Sequence, residues 1–217
     1  MPIVLQKVGY VVFFVLHKVF VRLEVRGREH LEKLDRPIII AANHTSELDT
    51  VAVHLILPFF SKFYPIYYVT NATEKYNTFG WRSYIYGEAF FNMFGGYAVH
   101  SGHKNYAYAL DSHIRLLRKG HTVLIYPEGK RTLDGQMNPA RGGLGYMVHT
   151  TGTTVVPVAI NTFFNMSPAQ YFLRRRKVTL TVLPPMEAKE IIDLPNPSVE
   201  DFRLAGQKVL DRIKTAM

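Results

Sequence analysis

Three stretches of this chain are apolar without a break: IIIAA at 38–42, VLIY at 123–126 and VVPVAI at 155–160. A strand with one wet face alternates apolar and polar residues, so the run at 38–42 reads as a strand covered on both faces, that at 123–126 as another buried strand, and that at 155–160 as a further strand. Further strands are read at VFVRLEVRG, which alternates up to Gly27, and at YPIYYVT, GGYAV and KVTLTVL. Helical spacing appears between them: at DTVAVHLIL before Pro58, at WRSYIYGEAFFNMF, at GGLGYMVHTTG, and at NYAYALDSHIRLLRKG with its stop at Arg118, Lys119 and Gly120. The last helix, SVEDFRLAGQKVLDRIKTAM, opens on Ser198 and Asp201 at capping-box spacing. Strands alternating with helices predict an α/β fold, with a mixed, mostly parallel central sheet flanked by helices. No repeat or linker interrupts it, and residues 20–217 read as a single domain.

The amino terminus reads differently. MPIVLQKVGYVVFFVLHKVFV holds nine uncharged residues, Val8 to Leu16, between Lys7 and His17-Lys18. As a helix they extend about 14 Å, against a hydrocarbon core of roughly 30 Å. No small-residue cleavage site follows. Residues 1–19 are therefore expected to form an interfacial helix, half-inserted through Tyr10, Phe13 and Phe14. The alternative is a helix packed on the protein's own core. The expected location is peripheral or monotopic, on the cytoplasmic side of a membrane.

Lys and Arg exceed Asp and Glu by 26 − 17 = 9, which suits a nucleic acid, an anionic membrane or a phosphorylated substrate. No nucleic-acid-binding motif accompanies the charge, so a nucleic-acid partner is not expected. The absence of cysteine excludes a disulfide scaffold, a thiol nucleophile and thiolate metal sites.

In open α/β sheets, ligands collect beyond the carboxyl ends of the strands. His44 follows the run at 38–42 directly, and Asp49 lies five residues on. His30 and Asp35 repeat that spacing, but they follow the polar RGRE and head a charged connector that is expected to be solvated. An imidazole with an ordinary pKa near 6.5 acts as a base near neutrality when a carboxylate holds its other ring nitrogen. On one continuous helix the two would diverge by about 140°. They converge only with His44 in the strand-to-helix turn, through Thr45 and Ser46, and Asp49 in the first helical turn. With no cysteine and no G-x-S-x-G, the nucleophile is read as the substrate's own hydroxyl, which suits direct acyl transfer to an alcohol. Past another strand end, YPEGKRT supplies Arg131 as a bidentate phosphate binder and Gly129 for a tight turn. Glu128 is read either as the orienter of Arg131 or as a contact to a substrate hydroxyl.

These motifs resemble the glycerolipid acyltransferase family, whose members include 1-acylglycerol-3-phosphate acyltransferases. NHTSELD matches N-H-x-x-x-x-D through His44 and Asp49. EGKRT matches E-G-x-R-[ST] through Glu128, Gly129, Arg131 and Thr132, and VVPVAI matches V-x-P-V-x-I through Pro157. The likeness runs over roughly residues 20 to 185. It implies His44 as general base, Asp49 as its orienter and the arginine block as binder of a glycerol phosphate. It also implies a fatty acyl thioester donor, on coenzyme A or acyl carrier protein, and no metal or redox cofactor. The implied reaction acylates the free hydroxyl of 1-acyl-sn-glycerol 3-phosphate at an anionic membrane surface.

One block departs: GGYAVHSG puts Ser101 where the family carries an arginine, with His103 and Lys104 close by to substitute. A basic residue before a later glycine is matched loosely by Arg141. The departure bears on the acceptor, leaving another lysophospholipid or lipid alcohol as alternatives. A non-catalytic lipid-binding module on the same scaffold is the rival from another class. His100 and His103 lack a third metal ligand, His54 reads as a satisfied core or surface residue, and the RRRK run at 174–177 suits anionic headgroups.

Overall fold

The computed structural model describes residues 2–46, 48–70, 92–99, 105–161, 164–173 and 176–217. The chain opens with α1 (Pro2–Phe20), β1 (Arg22–Arg26), α2 (Glu29–Glu32), β2 (Ile39–Ala42) and α3 (Leu48–Val53), which tightens into a 3-10 turn over His54–Ile56. β3 (Ile66–Thr70), β4 (Gly96–Ala98), α4 (Tyr106–Ala109), α5 (Asp111–Arg118) and β5 (Thr122–Ile125) follow. The chain closes with α6 (Gly143–Thr151), β6 (Val155–Asn161), α7 (Pro168–Phe172), β7 (Lys177–Val182), α8 (Ala188–Ile191) and α9 (Val199–Lys214).

The strands form one sheet in the order β1-β7-β6-β2-β5-β3-β4. Only β6 and β7 pair antiparallel among the described residues; the other neighbours are parallel. This is the expected mixed, mostly parallel sheet. The unbroken apolar runs form its middle: β2, β5 and β6 are buried on both faces. One face is covered by α1, α3 and the 3-10 turn, over a core that includes Ile40, Leu55, Ile56, Val158 and Ile160. The other carries α5, α6 and α9 over Ile39, Val123, Leu144, Val148 and Val209.

Three boundaries differ from the sequence pattern. Val19 and Phe20 belong to α1, so β1 starts only at Arg22; the apolar alternation there is shared between a helix end and a strand start. The 105–120 helix divides at Leu110, whose backbone (φ −113°, ψ 10°) leaves the helical region between α4 and α5. α7 was not anticipated, although Ser167 and Gln170 form a reciprocal capping box with Pro168 in the first turn. Residues 81–91 of the helix expected over WRSYIYGEAFFNMF lie outside the described residues, as do Arg174 and Arg175 of the RRRK run.

The amino-terminal helix corrects the length estimate. The chain is helical from Pro2 to Phe20, well beyond the nine-residue uncharged core, and as a 19-residue helix it is long and apolar enough to cross a membrane by length and composition. It nevertheless packs along the domain. Gln6 and His17 are buried, and Tyr10 meets Phe59 edge-on with ring centroids 5.5 Å apart. The opposite face, including Val4, Val8, Val11, Val15 and Val19, stands open at 50–62% exposure. One side of the helix, Tyr10 included, therefore joins the protein's own core, and the other presents an aliphatic stripe.

Candidate active site

β2 delivers the site. Its last residue, Ala42, pairs with Val158 of β6, and Asn43 extends that pairing through its side chain. The buried Asn43 amide donates to Ile160 O (2.9 Å) and accepts from Ile160 N–H (2.7 Å), imitating one more residue of ladder. His44 is the first residue free of the sheet, and here the sheet's carboxyl end becomes a site.

Four further contacts fix it. The His44 N–H donates to Glu128 Oε1 (2.8 Å), and its carbonyl accepts from Thr132 N–H (3.0 Å). The imidazole stacks on Tyr126, with centroids 4.0 Å apart and planes within 13°. Nδ1 lies 3.0 Å from Asp49 Oδ2, as the turn geometry required. The same oxygen accepts the N–H groups of Thr45 (2.6 Å) and Ser46 (2.7 Å), while Oδ1 accepts from the Thr45 hydroxyl. An oxygen holding two backbone donors is an acceptor only, so the third partner must donate to it. That assigns the proton to Nδ1 and the lone pair to Nε2. The Asp49 side chain is fully buried and that of His44 is 18% exposed, so the ring is the accessible member of the pair.

The residues of the second block take two positions. Glu128 was expected to meet Arg131 or substrate; it is instead 1% exposed, lying under the turn. One of its oxygens holds His44, and the other accepts the backbone (2.7 Å) and side-chain (3.1 Å) N–H groups of Asn138. A carboxylate buried with three donors around it ties two loops together. Thr132 also turns inward, its hydroxyl donating to Asp134 Oδ1 (2.9 Å) and accepting from Gly135 N–H (3.0 Å). Arg131 and Arg141 remain exposed. Arg141 is brought to the turn by its N–H on Pro127 O (2.8 Å), and its side chain runs over Gly129. Gly129 is favoured by its φ of +67°, and a Cβ there would approach Arg141 Cδ to 2.6 Å and push that exposed side chain aside. Ser101 and Lys104 lie outside the described residues, as do His100 and His103.

Tyr126 went unnoticed in the sequence, although it stands directly before PEG. Its hydroxyl lies 3.1 Å from Thr50 Oγ1. Burial, followed by the nearby Asp49 charge, raises its pKa well above the usual phenol range, so it is neutral beside the imidazole. The rival pair does not assemble: Asp35 is exposed and bonded to Lys62 (2.8 Å), while His30 sits in α2. His54 is buried in the core, bonded through Nε2 to the Tyr68 hydroxyl and stacked on Tyr64. No group of three or more His, Asp or Glu side chains that could hold a metal occurs among the described residues.

Residues 22–161 match the sequence model of the Acyltransferase family, and the matched span holds every residue of this constellation. The chain belongs to the acyltransferase family. Among curated members of that family it is 29% identical over 189 residues to a 1-acyl-sn-glycerol-3-phosphate acyltransferase of Chlamydomonas reinhardtii, covering 83% of this chain and 52% of that one. It is 25% identical over 186 residues to 1-acyl-sn-glycerol-3-phosphate acyltransferase beta of Homo sapiens, covering 83% and 61% respectively. The chain thus spans about half to three fifths of the length of these relatives. Its fold is similar to the crystal structure of PlsC, the 1-acyl-sn-glycerophosphate (LPA) acyltransferase of Thermotoga maritima. The TM-score is 0.66 at 21% identity, over 99% of this chain and 78% of that one.

Proposed function

We propose that this acyltransferase-family chain transfers a fatty acyl group from a thioester to the free hydroxyl of 1-acyl-sn-glycerol 3-phosphate, forming a phosphatidate. The observation that carries the proposal is the His44–Asp49 pair at the open end of the sheet, with Nδ1 bonded to a buried carboxylate. The names of the relatives supply the acceptor class. In this reading His44 Nε2 takes the hydroxyl proton as oxygen attacks the thioester carbonyl; the C–S bond then breaks and the proton passes to the departing thiolate. Asp49 holds the ring's orientation and favours the imidazolium formed during attack. The exposed Arg131 and Arg141 are the cations for the acceptor's phosphate, as expected from the sequence. The donor is acyl-coenzyme A or acyl carrier protein. The open stripe of α1 lies on a membrane surface, where both lipid substrates partition.

The test is acyl transfer by detergent-purified protein, with labelled oleoyl-coenzyme A and oleoyl-acyl carrier protein offered in turn to lysophosphatidate, glycerol 3-phosphate and neutral lysolipids. Diacyl product from lysophosphatidate is expected, with a fall on the order of 10²–10⁴-fold in His44→Ala. Full activity in that variant would remove the base. Silence with both donors across the panel would favour the lipid-binding scaffold.

A further inference from the structure

A groove of about 500 Å³ runs between the carboxyl half of α1 and the edge of the sheet at β1 and β7. Its floor is apolar, from Phe14, Val21 and Leu23, and its rim carries Lys18, Arg22 and Lys177. Glu24 also lines it, but that carboxylate is engaged by Arg26 (2.8 Å) and by Lys177. Among the described residues neither Lys18 nor Arg22 has an acidic partner. Phe14 and Lys18 of the groove are followed in α1 by the exposed Val15 and Val19 of the aliphatic stripe. β7 and β6 separate β1 from β2, about 14 Å across the sheet, which keeps the groove apart from the His44 site.

A free inorganic anion has no use for an apolar floor, and a neutral lipid has none for two uncompensated cations. We propose that this groove holds an anionic phospholipid of the bilayer, its phosphate between Lys18 and Arg22 and the start of an acyl chain against Phe14 and Leu23. The proposal rests on α1 lying on a membrane. It makes the groove a headgroup-selective anchor that settles the helix, and with it the open end of the sheet, on anionic membranes.

Vesicle flotation at physiological salt tests it, comparing phosphatidylcholine alone with phosphatidylcholine containing phosphatidylglycerol. The unaltered protein should bind both and favour the anionic vesicles by on the order of tenfold. Lys18→Ala/Arg22→Ala should lose that preference while still binding phosphatidylcholine through α1. Lys189→Ala/Lys214→Ala, which removes the same charge from α8 and α9 beyond the sheet's other face, should keep it. Equal binding of the two vesicles by the unaltered protein would overturn the groove while leaving the membrane reading intact. So would a preference lost equally in both double variants, or one retained without Lys18 and Arg22. Abolition of the preference by millimolar glycerol 3-phosphate at constant ionic strength would mark a site for a soluble phosphate and overturn the lipid assignment. Failure to bind either vesicle would overturn the membrane reading and the groove with it.

Discussion

At the scale of single residues, His44 illustrates how a flexible side chain is made into a positioned one. Its backbone is held from both sides by the second motif, through Glu128 and Thr132, and its ring by Asp49 and Tyr126. Tyr126→Phe keeps the stacked ring and should retain most of the transfer activity. Tyr126→Leu removes the stacking plane, and misplacing the ring by about 1 Å is worth up to ~10²-fold. kcat should therefore fall by tenfold or more with KM little changed, as steady-state kinetics would read. Equal loss in both variants would assign the effect to the hydroxyl instead. Gly129→Ala acts on the neighbouring turn. A left-handed backbone costs a Cβ-bearing residue about 1–2 kcal/mol, and here the methyl also drives Arg141 aside. The denaturation midpoint should drop modestly, while KM for a phosphorylated acceptor rises; an unchanged KM would show that Arg141 does not bind it.

Among the elements, α1 departs most from simple expectation, because a helix with an open aliphatic stripe is held down by an amide. Gln6 donates to Ile66 O (2.6 Å) and Phe94 O (2.7 Å) and accepts from Ile66 N–H (3.0 Å), at the start of β3 and just before β4. An apolar replacement strands the buried N–H and carbonyl of Ile66. Stranded groups cost ~1–3 kcal/mol each before water enters. Gln6→Leu should lower stability by about 2 kcal/mol in urea unfolding and speed proteolysis within α1, despite raising the helix's hydrophobicity. A stabilised Gln6→Leu would mean that apolar contacts alone seat the helix.

Across the whole molecule, two cores back a sheet that buries histidines as well as aliphatic residues. Burial lowers the pKa of His54, in one core, and of His113, beside Tyr68 and Tyr97, to about 4 each. Both are therefore neutral in the folded state, while the unfolded chain titrates them near 6.5. Between those values the unfolded state binds more protons, so stability is complete above about pH 6.5 and is lost as pH falls toward 4. Each histidine contributes a slope of ~1.4 kcal/mol per pH unit there. Unfolding free energies measured from pH 7 to 4.5 should show this decline, to which the lowered pKa values of His17 and His121 add in the same direction, and His113→Gln should reduce the slope by up to ~1.4 kcal/mol per pH unit even if it lowers stability throughout. A slope unchanged by that substitution would place the proton uptake elsewhere.

The sequence alone determined the sheet and the place at its carboxyl end where His44 meets Asp49. β2, β5 and β6 were legible because a strand buried on both faces must be apolar throughout, and His44 because it follows such a run at once. The convergence of His44 with Asp49 was legible too, since a strand-to-helix turn is the geometry in which five residues return to one place. What lay beyond reach depended on partners distant in sequence. Glu128 meets His44 across 84 positions, Asn43 meets Ile160 across 117 and Gln6 meets Ile66 across 60. A polar side chain looks alike in sequence whether it faces a substrate, water or an unpaired backbone group. Only the packed sheet decided that Glu128 and Thr132 build the turn while Arg131 and Arg141 stand outside it, because burial forces polar atoms to find donors and acceptors within the protein itself.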